Sequence, residues 1–390
     1  MKVSVIGWTC ETQKDAMLFA GHAAGVCYMP KNFDVLLGES EGKTLARAVN
    51  TLTSGHHSVY DHITYNLLLE DIPKILAIVL NNEGCYTTSE KSARYTKMQM
   101  DGVGAEYYTK WLARFIELIE KKYGEKFEQF YRDPKKAQKA IEKLAMENAR
   151  YLISVFTPTT MIYTVSLRQL NYILGFFAKY ISDTHKGDFE TKLANAMVEF
   201  CNAVPDELKF PALNADTKGR EISLFRKISG SNEYFEDIYS TSYLGSWAMF
   251  AQAQRHRTLH YQIALDDSCK LNGGQMFYIP TILVHNQEWG REWVDDLASI
   301  QDTYPQAQLI RIYECGTYQN FLLKCYERLC GCAQLEITHQ TWRTLNRYHD
   351  SRPDLITDDF MRGARCTFPH FKCNNVCVWR GGLNALTREI

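Results

Sequence analysis

The chain has 390 residues, long enough for two or three domains or one large one, and its 45% hydrophobic and 23% charged composition is that of a globular protein with a good core. A net charge of -1 excludes a broad basic surface for nucleic acid, so any anion site must be local. No apolar run approaches the roughly 18 residues that span a bilayer, and MKVSVIGWTCETQKD lacks the apolar core of a signal peptide, so a cytoplasmic protein with neither membrane nor nucleic acid as partner is expected.

The first element read from the chain is a strand at its amino terminus. HITYNLLL (His62 to Leu69) is β-rich and predicts a second. EDIPKILAIVLNN (Glu70 to Asn82) places Ile72, Ile75, Leu76 and Val79 at helical spacing, with Pro73 at an early helical position. The polar segment EGCYTTSEKSARY follows. Next comes helix-like material, EKKYGEKFEQFYRDPKKAQKAIEKLAMENA, whose charges read as a solvated helix face. Asn148 to Phe177 is long, apolar and aromatic. Val204 to Gly219 carries prolines and turn residues and predicts a linker. Ile238 to Tyr243 then reads as a strand and Leu244 to Gln254 as a helix, with Arg255 opening another polar segment. Asp302 to Arg328 repeats the character of Asn148 to Phe177. Two strand–helix–polar units about half the chain apart predict an internal duplication, with repeats at 1–205 and 206–390.

Few stretches carry chemistry by themselves. In QAQRHRTLHY, Gln252 and Arg255 share a face if helical, and His256 and Arg257 continue past the helix end. Guanidinium forks suit phosphate or a pyrimidine carbonyl; a surface salt-bridge cluster is the plain alternative. In SEKSARY, an extended chain would point Glu90, Ser92 and Arg94 to one side, either around a polar ligand or as one solvated face. Cys85 has no histidine close in sequence and reads as a buried structural thiol. Neither GxGxxG nor GxxxxGK[ST] occurs, which argues against a Rossmann site and a P-loop. The twelve cysteines are spread along the chain, except for CGC at Cys330 and Cys332 and the carboxy-terminal Cys366, Cys373 and Cys377. That last spacing reads either as a metal or iron–sulfur ligand set or as free thiols of a folded tail.

GHHSVYDHITY, a helix, SEKSARY and later RHRTLHYQ together resemble the flavin-dependent thymidylate synthases. Their pattern is H-x-[ST]-x-x-E-H, a strand and helix, then RHR, seven residues and S-x-R-Y. The resemblance covers most of the chain, as two incomplete copies. The first copy has Asn82-Glu83-Gly84 at the RHR position but keeps Glu90, Ser92, Arg94 and Tyr95. The second keeps Gln252, Arg255, His256 and Arg257 but has Ile263, Leu265 and Asp267 at the Glu, Ser and Arg positions. Downstream, Arg150 and Arg168 in the first copy correspond to Gln301 and Gln319. Arg328, ahead of Ala333-Gln334-Leu335-Glu336-Ile337, corresponds to Phe177. The losses are complementary. Asp61 stands for the usual Glu, Gly25 and Cys27 for the Arg and Ser of A-A-R-x-S, and Cys332 at a position often His.

The resemblance implies an α+β fold of two tandem thymidylate-synthase-complementing-protein-like repeats, each a mixed or antiparallel sheet with long helices. It implies methyl transfer to C5 of dUMP, with FAD as cofactor and NADPH and methylenetetrahydrofolate as co-substrates. Family sites lie between subunits of a homotetramer, so a two-repeat chain is expected as a homodimer forming a pseudo-tetramer with composite sites. The nucleotide would meet Gln252, Arg255 and Arg328 from one repeat and Glu90, Ser92, Arg94 and Arg150 from the other. Arg255, Arg328 and Arg94 would also stabilise charge during catalysis. FAD would meet His56, Ser58, Asp61, Arg168, Arg255, His256 and Arg257. The alternatives are a relative that modifies another pyrimidine nucleotide and a non-catalytic nucleotide-binding homologue.

Overall fold

The structure is a computed structural model that describes residues 1–94, 96, 100, 102–183, 187–215, 217–226, 233–374 and 377–390. Tyr95 lies outside the described residues. In chain order the elements are β1 (Lys2–Trp8), α1 (Gln13–Tyr28), α2 (Phe33–Leu37), α3 (Glu41–Thr53), β2 (Thr64–Pro73), α4 (Lys74–Leu80), β3 (Tyr86–Glu90), α5 (Gly102–Tyr131), α6 (Pro134–Ala149), β4 (Pro158–Ser166), α7 (Leu167–Ser182), α8 (Asp188–Ala203), α9 (Pro211–Ala215), β5 (Tyr234–Phe235), β6 (Ile238–Ser246), α10 (Trp247–Ala253), β7 (His260–Ala264), β8 (Lys270–Leu271), β9 (Gly274–Gln275), α11 (Thr281–Val284), α12 (Gln287–Ser299), β10 (Leu309–Thr317), α13 (Tyr318–Arg328), α14 (Leu335–Ser351) and α15 (Asn384–Thr387). The fold mixes helices with antiparallel sheets.

The chain forms two compact units that do not follow its halves. One holds Met1–Lys91 with Pro158–Arg226, the other Ser92–Thr157 with Lys227–Ile390. The first unit is built on a four-stranded sheet in the order β1-β2-β4-β3. Tyr65, Leu67 and Leu69 of β2 alternate with more exposed residues and are buried beside Met161, Tyr163 and Val165 of β4, the period of a half-buried strand. Gly21 lets α1 approach α3 closely, since a Cβ there would lie 2.2 Å from the Thr44 carbonyl oxygen. The stretch expected as a linker, 204–219, packs onto α7: Asn171 donates to the Leu208 carbonyl and accepts from the Phe210 amide.

The second unit carries a four-stranded sheet in the order β5-β6-β10-β7. Its strand order, its antiparallel pairings and the helices that follow β6 and β10 match those of the first sheet element for element. Arg168 and Gln319, paired in the sequence comparison, are each the second residue of the helix that follows the corresponding strand. The charged segment expected as a solvated helix is two helices, α5 and α6. One stripe of each is buried: Trp111, Phe115 and Ile119 of α5, and Ile141 and Ala145 of α6, pack with Trp293 and Leu297 of α12. The Trp111 indole donates to Asp296 at 2.7 Å, so the ring is buried without leaving its N–H unpaired.

Two boundaries differ from the sequence reading for a common reason. The helix expected from Glu70 begins at Lys74, because β2 crosses an irregularity between Leu69 and Ile72 and continues to Pro73. Asp71 there adopts a φ of 56°, a conformation aspartate tolerates better than most residues. The helix expected from Leu244 begins at Trp247, because Leu244, Gly245 and Ser246 still pair with β10. Both segments are apolar on either reading, so periodicity alone does not separate strand from helix there.

Candidate functional site

In the second unit, α10 ends at Ala253, which puts Arg255, His256 and Arg257 in the turn that leads to β7. Gln252 is therefore helical and Arg255 is not, so the expected shared helix face is replaced by a turn. His256 is buried, whereas Arg255 and Arg257 reach the surface. The Arg328 Nε, at the end of α13, donates to His256 Nε2 at 2.7 Å, and its Nη2 donates to the Gln252 carbonyl at 3.1 Å. Burial, followed by Arg328 and Lys324, pushes the His256 pKa down to about 2. The imidazole is thus a neutral acceptor, and the three adjacent residues of RHR do not form three repelling cations.

The first-half residues Arg94 and Arg150 belong to this same unit. Arg94 pairs with Glu147 of α6, and its Nη2 donates to the Cys332 carbonyl at 2.8 Å. Buried Arg150 donates to the Ala248 carbonyl at 3.2 Å and to the Gln334 side chain, to which Gln252 also donates. Arg94 lies close enough to Arg150 and to Arg328 to lower both pKa values, though burial is the main cause for each, and Arg255 acts on Arg328 in the same way. Four guanidiniums are thus gathered around Gln252 and Gln334. Buried Arg150 Nε and Gln252 Oε1 have no hydrogen-bond partner among the described residues. Such atoms are costly to leave unpaired, and they are the groups a polar ligand would satisfy.

Glu90 and Ser92 do not share a side with Arg94. β3 ends at Glu90, whose carboxylate pairs with Lys74 at 2.5 Å in the first unit. Ser92 and Arg94 belong to the second unit, where a turn from the Thr96 amide to the Ser92 carbonyl replaces the extended chain.

The first unit has its own polar cavity of about 380 Å³, lined by His56, His57, Ser58, Arg168, Tyr172, Lys218 and Arg220 with Gly55. Asp61 ion-pairs with Arg168 at 2.5 Å and accepts from Ser166 at 2.8 Å. Arg168 Nε is buried without a hydrogen-bond partner among the described residues. Three cationic side chains and a serine suit the phosphates of a dinucleotide, so these residues fit FAD. The Asn82 to Gly84 segment, aligned with RHR in the sequence comparison, is closed. The Ser223 amide and hydroxyl donate to Glu83, at 2.7 and 2.9 Å, and Asn82 donates to the Ser223 hydroxyl at 2.9 Å.

A profile described as Thy1, thymidylate synthase complementing protein, matches residues 10–206. The chain belongs to the thymidylate synthase complementing protein family. A curated relative, the flavin-dependent thymidylate synthase of Clostridium tetani, is 25% identical over 190 residues, 45% of this chain and 73% of that protein. Among solved structures, the Helicobacter pylori flavin-dependent thymidylate synthase complexed with FAD and dUMP aligns with a TM-score of 0.32 at 17% identity, over 53% of this chain and 95% of that one. The UMP/dUMP methylase PolB of Streptomyces cacaoi, bound with 5-Br dUMP, aligns with a TM-score of 0.31 at 17% identity, over 55% and 93% of the two chains.

Within this family member, the sequence missed the residues that hold the arginines. Glu147 and Gln334 organise Arg94, Arg150 and Gln252; Gln334 stands in the Ala333 to Ile337 motif segment without that role being readable from it, and nothing in the local pattern marks Glu147. Lys218 and Arg220 lie in the segment read as a linker. One cysteine reading is corrected: Cys85 is exposed rather than buried. Of the two readings of the tail cysteines, the ligand set gains no support, since among the described residues no group of three His, Cys, Asp or Glu side chains could hold a metal ion. Cys366 sits in a 3-10 turn against the core, whereas Cys377 folds back over Gly331, where a Cβ would come within 2.9 Å of its sulfur. Among the described residues no helix is long and apolar enough to cross a membrane.

Proposed function

We propose that this chain methylates C5 of dUMP to give dTMP, with methylenetetrahydrofolate supplying the carbon and NADPH the reducing equivalents, at a site composed from two tandem repeats, 1–205 and 206–390. The observation that carries this reading is the gathering of Arg94 and Arg150, from the first repeat, with Arg255 and Arg328, from the second, in one compact unit around unsatisfied polar atoms of Arg150 and Gln252. That excess of guanidinium suits a nucleotide phosphate and a uracil carbonyl. The matching strand orders and the end of the family match at residue 206 support the duplication.

In this reading Arg94, Arg255 and Arg328 hold the phosphate and stabilise negative charge that builds on the pyrimidine. Gln252 and Arg150 use their unpaired atoms to fix the base. Ser92, whose hydroxyl accepts from the Arg94 amide, joins the nucleotide set, whereas Glu90 is held by Lys74 in the first unit. FAD, when bound, supplies the redox chemistry of the transfer. His56, Ser58 and Arg168 would hold its phosphates within the first unit, with Asp61 orienting Arg168. His256 stays neutral: its Nε2 accepts from Arg328, which leaves Nδ1 as a donor rather than a charge.

The test is dTMP formation by the purified chain with dUMP, methylenetetrahydrofolate, FAD and NADPH, with dCMP run in parallel. A blank with both nucleotides, from protein that binds flavin, contradicts the proposal. Product from dCMP alone reassigns the base.

A further inference from the structure

We infer that Cys332 and Cys377, with Cys330 beside them, form an oxidant-reactive thiol site that closes to a reversible Cys332–Cys377 disulfide. Cys330, Gly331 and Cys332 form the tight turn between α13 and α14. The Cys332 amide donates to the Cys330 sulfur at 3.5 Å. Gly331 separates Cys330 from Cys332, and the Cys377 sulfur lies against it, so the three thiols share one patch. Gly331 makes this meeting possible, because a side chain there would strike both the Cys377 sulfur and Trp379. Cys332 is exposed and Cys377 half-buried, so a small oxidant can reach the pair.

The charges favour reaction at Cys377. The hydrogen bond from Cys332 lowers the Cys377 pKa to about 6, with help from the Trp379 amide and the Arg388 guanidinium. The same donor lowers Cys330 to about 5. Cys332 is raised by donating to its two neighbours and stays a thiol. A thiolate beside a protonated partner is the arrangement of a reactive cysteine with its resolving thiol. With hydrogen peroxide as oxidant, the Cys377 thiolate attacks one oxygen and the O–O bond breaks, giving a sulfenic acid and hydroxide. The Cys332 thiol then attacks the Cys377 sulfur, and its proton leaves with the sulfenic oxygen as water. The two sulfurs lose two electrons in total, and a dithiol reductant returns them.

The site adjoins the arginine cluster. The Cys332 carbonyl anchors Arg94, the Ala333 carbonyl anchors Arg388, and the Gln334 side chain anchors Arg150 and Gln252. Drawing Cys332 onto Cys377 therefore loosens Arg94. Its effect on nucleotide rests on the function proposed above.

The experiment treats the reduced full-length chain with a few equivalents of hydrogen peroxide, quenches it in acid and maps the thiols by mass spectrometry. The expected result is a Cys332–Cys377 peptide that has lost two hydrogens and is restored by dithiothreitol. Exposed Cys27 and Cys85, which lie outside this cluster, stay reduced at that dose. In Cys332→Ser, whose folding is checked by melting, Cys377 is instead trapped as a sulfenic acid by dimedone. Oxidation of Cys27 or Cys85 as readily as Cys377, or absence of the link, overturns the proposal. A second arm titrates dUMP: the oxidised chain should bind at least about tenfold more weakly and recover on reduction. Unchanged affinity in a linked chain overturns the coupling. If the reduced chain does not bind dUMP at all, the nucleotide reading fails, while the mapping still decides the thiol site.

Discussion

His256 titrates far from an ordinary imidazole. Its pKa falls from 6.5 to about 2, chiefly through burial. Above pH 6.5 neither the folded nor the unfolded chain protonates it, so it contributes nothing to pH dependence. As the pH falls through 6.5 only the unfolded chain takes up the proton, and stability drops by about 1.4 kcal/mol per pH unit until the folded pKa is approached. His256→Gln should therefore unfold in urea with a shallower pH dependence between 6.5 and 4, by about one proton. A second residue-level expectation concerns Arg328, which donates to His256 and to the Gln252 carbonyl. Arg328→Ala should weaken dUMP binding by about 1.5–3 kcal/mol, the worth of hydrogen bonds to charged groups, measured by calorimetry. The RHR, SxR and downstream arginines were legible in the sequence as motif letters. Their pairings were not: Gln334 stood only as a motif letter and Glu147 not at all, because both act through tertiary contacts that no local spacing records.

At the scale of elements, helix α13 is tied to strand β10 by an ion pair with no solvent access, Lys324 to Glu314. Tyr239 donates to the same carboxylate at 2.6 Å, and Tyr243 does so as well. In the first sheet the corresponding places hold Tyr163 and Ile173, both buried, so the two sheets fill the same position with opposite chemistry. Breaking such a pair strands a buried charge. Lys324→Met should cost about 3–5 kcal/mol by denaturant unfolding. The double change with Glu314→Gln should recover much of that loss, because the remaining amide still accepts from the tyrosines. Strands and helices were readable wherever the apolar pattern was clean, as in β1 and α4. The boundaries at Pro73 and Ser246 were not, since an apolar strand feeding an apolar helix gives no change of pattern until the pairing partner is known.

For the whole molecule, two sheets of identical strand order within one chain support a gene-level duplication, and complementary motif losses are what a duplicated chain with one retained composite site would show. The sequence carried that complementarity because it resides in motif residues. It did not reveal that Ser92 to Thr157 folds with the second half, because contact between distant segments leaves no mark on composition. On the proposed duplication the chain should run as a dimer, so light scattering should give twice its 45.0 kDa. A monomer mass would require every site residue to come from one chain.

The central claim is that arginines from the two repeats serve one nucleotide. Calorimetric titration of dUMP into the wild type, Arg94→Ala and Arg255→Ala, each shown to be folded by its melting curve, tests it directly. The account predicts that both substitutions weaken binding by at least about tenfold. Normal binding by Arg94→Ala alongside a loss in Arg255→Ala would contradict it.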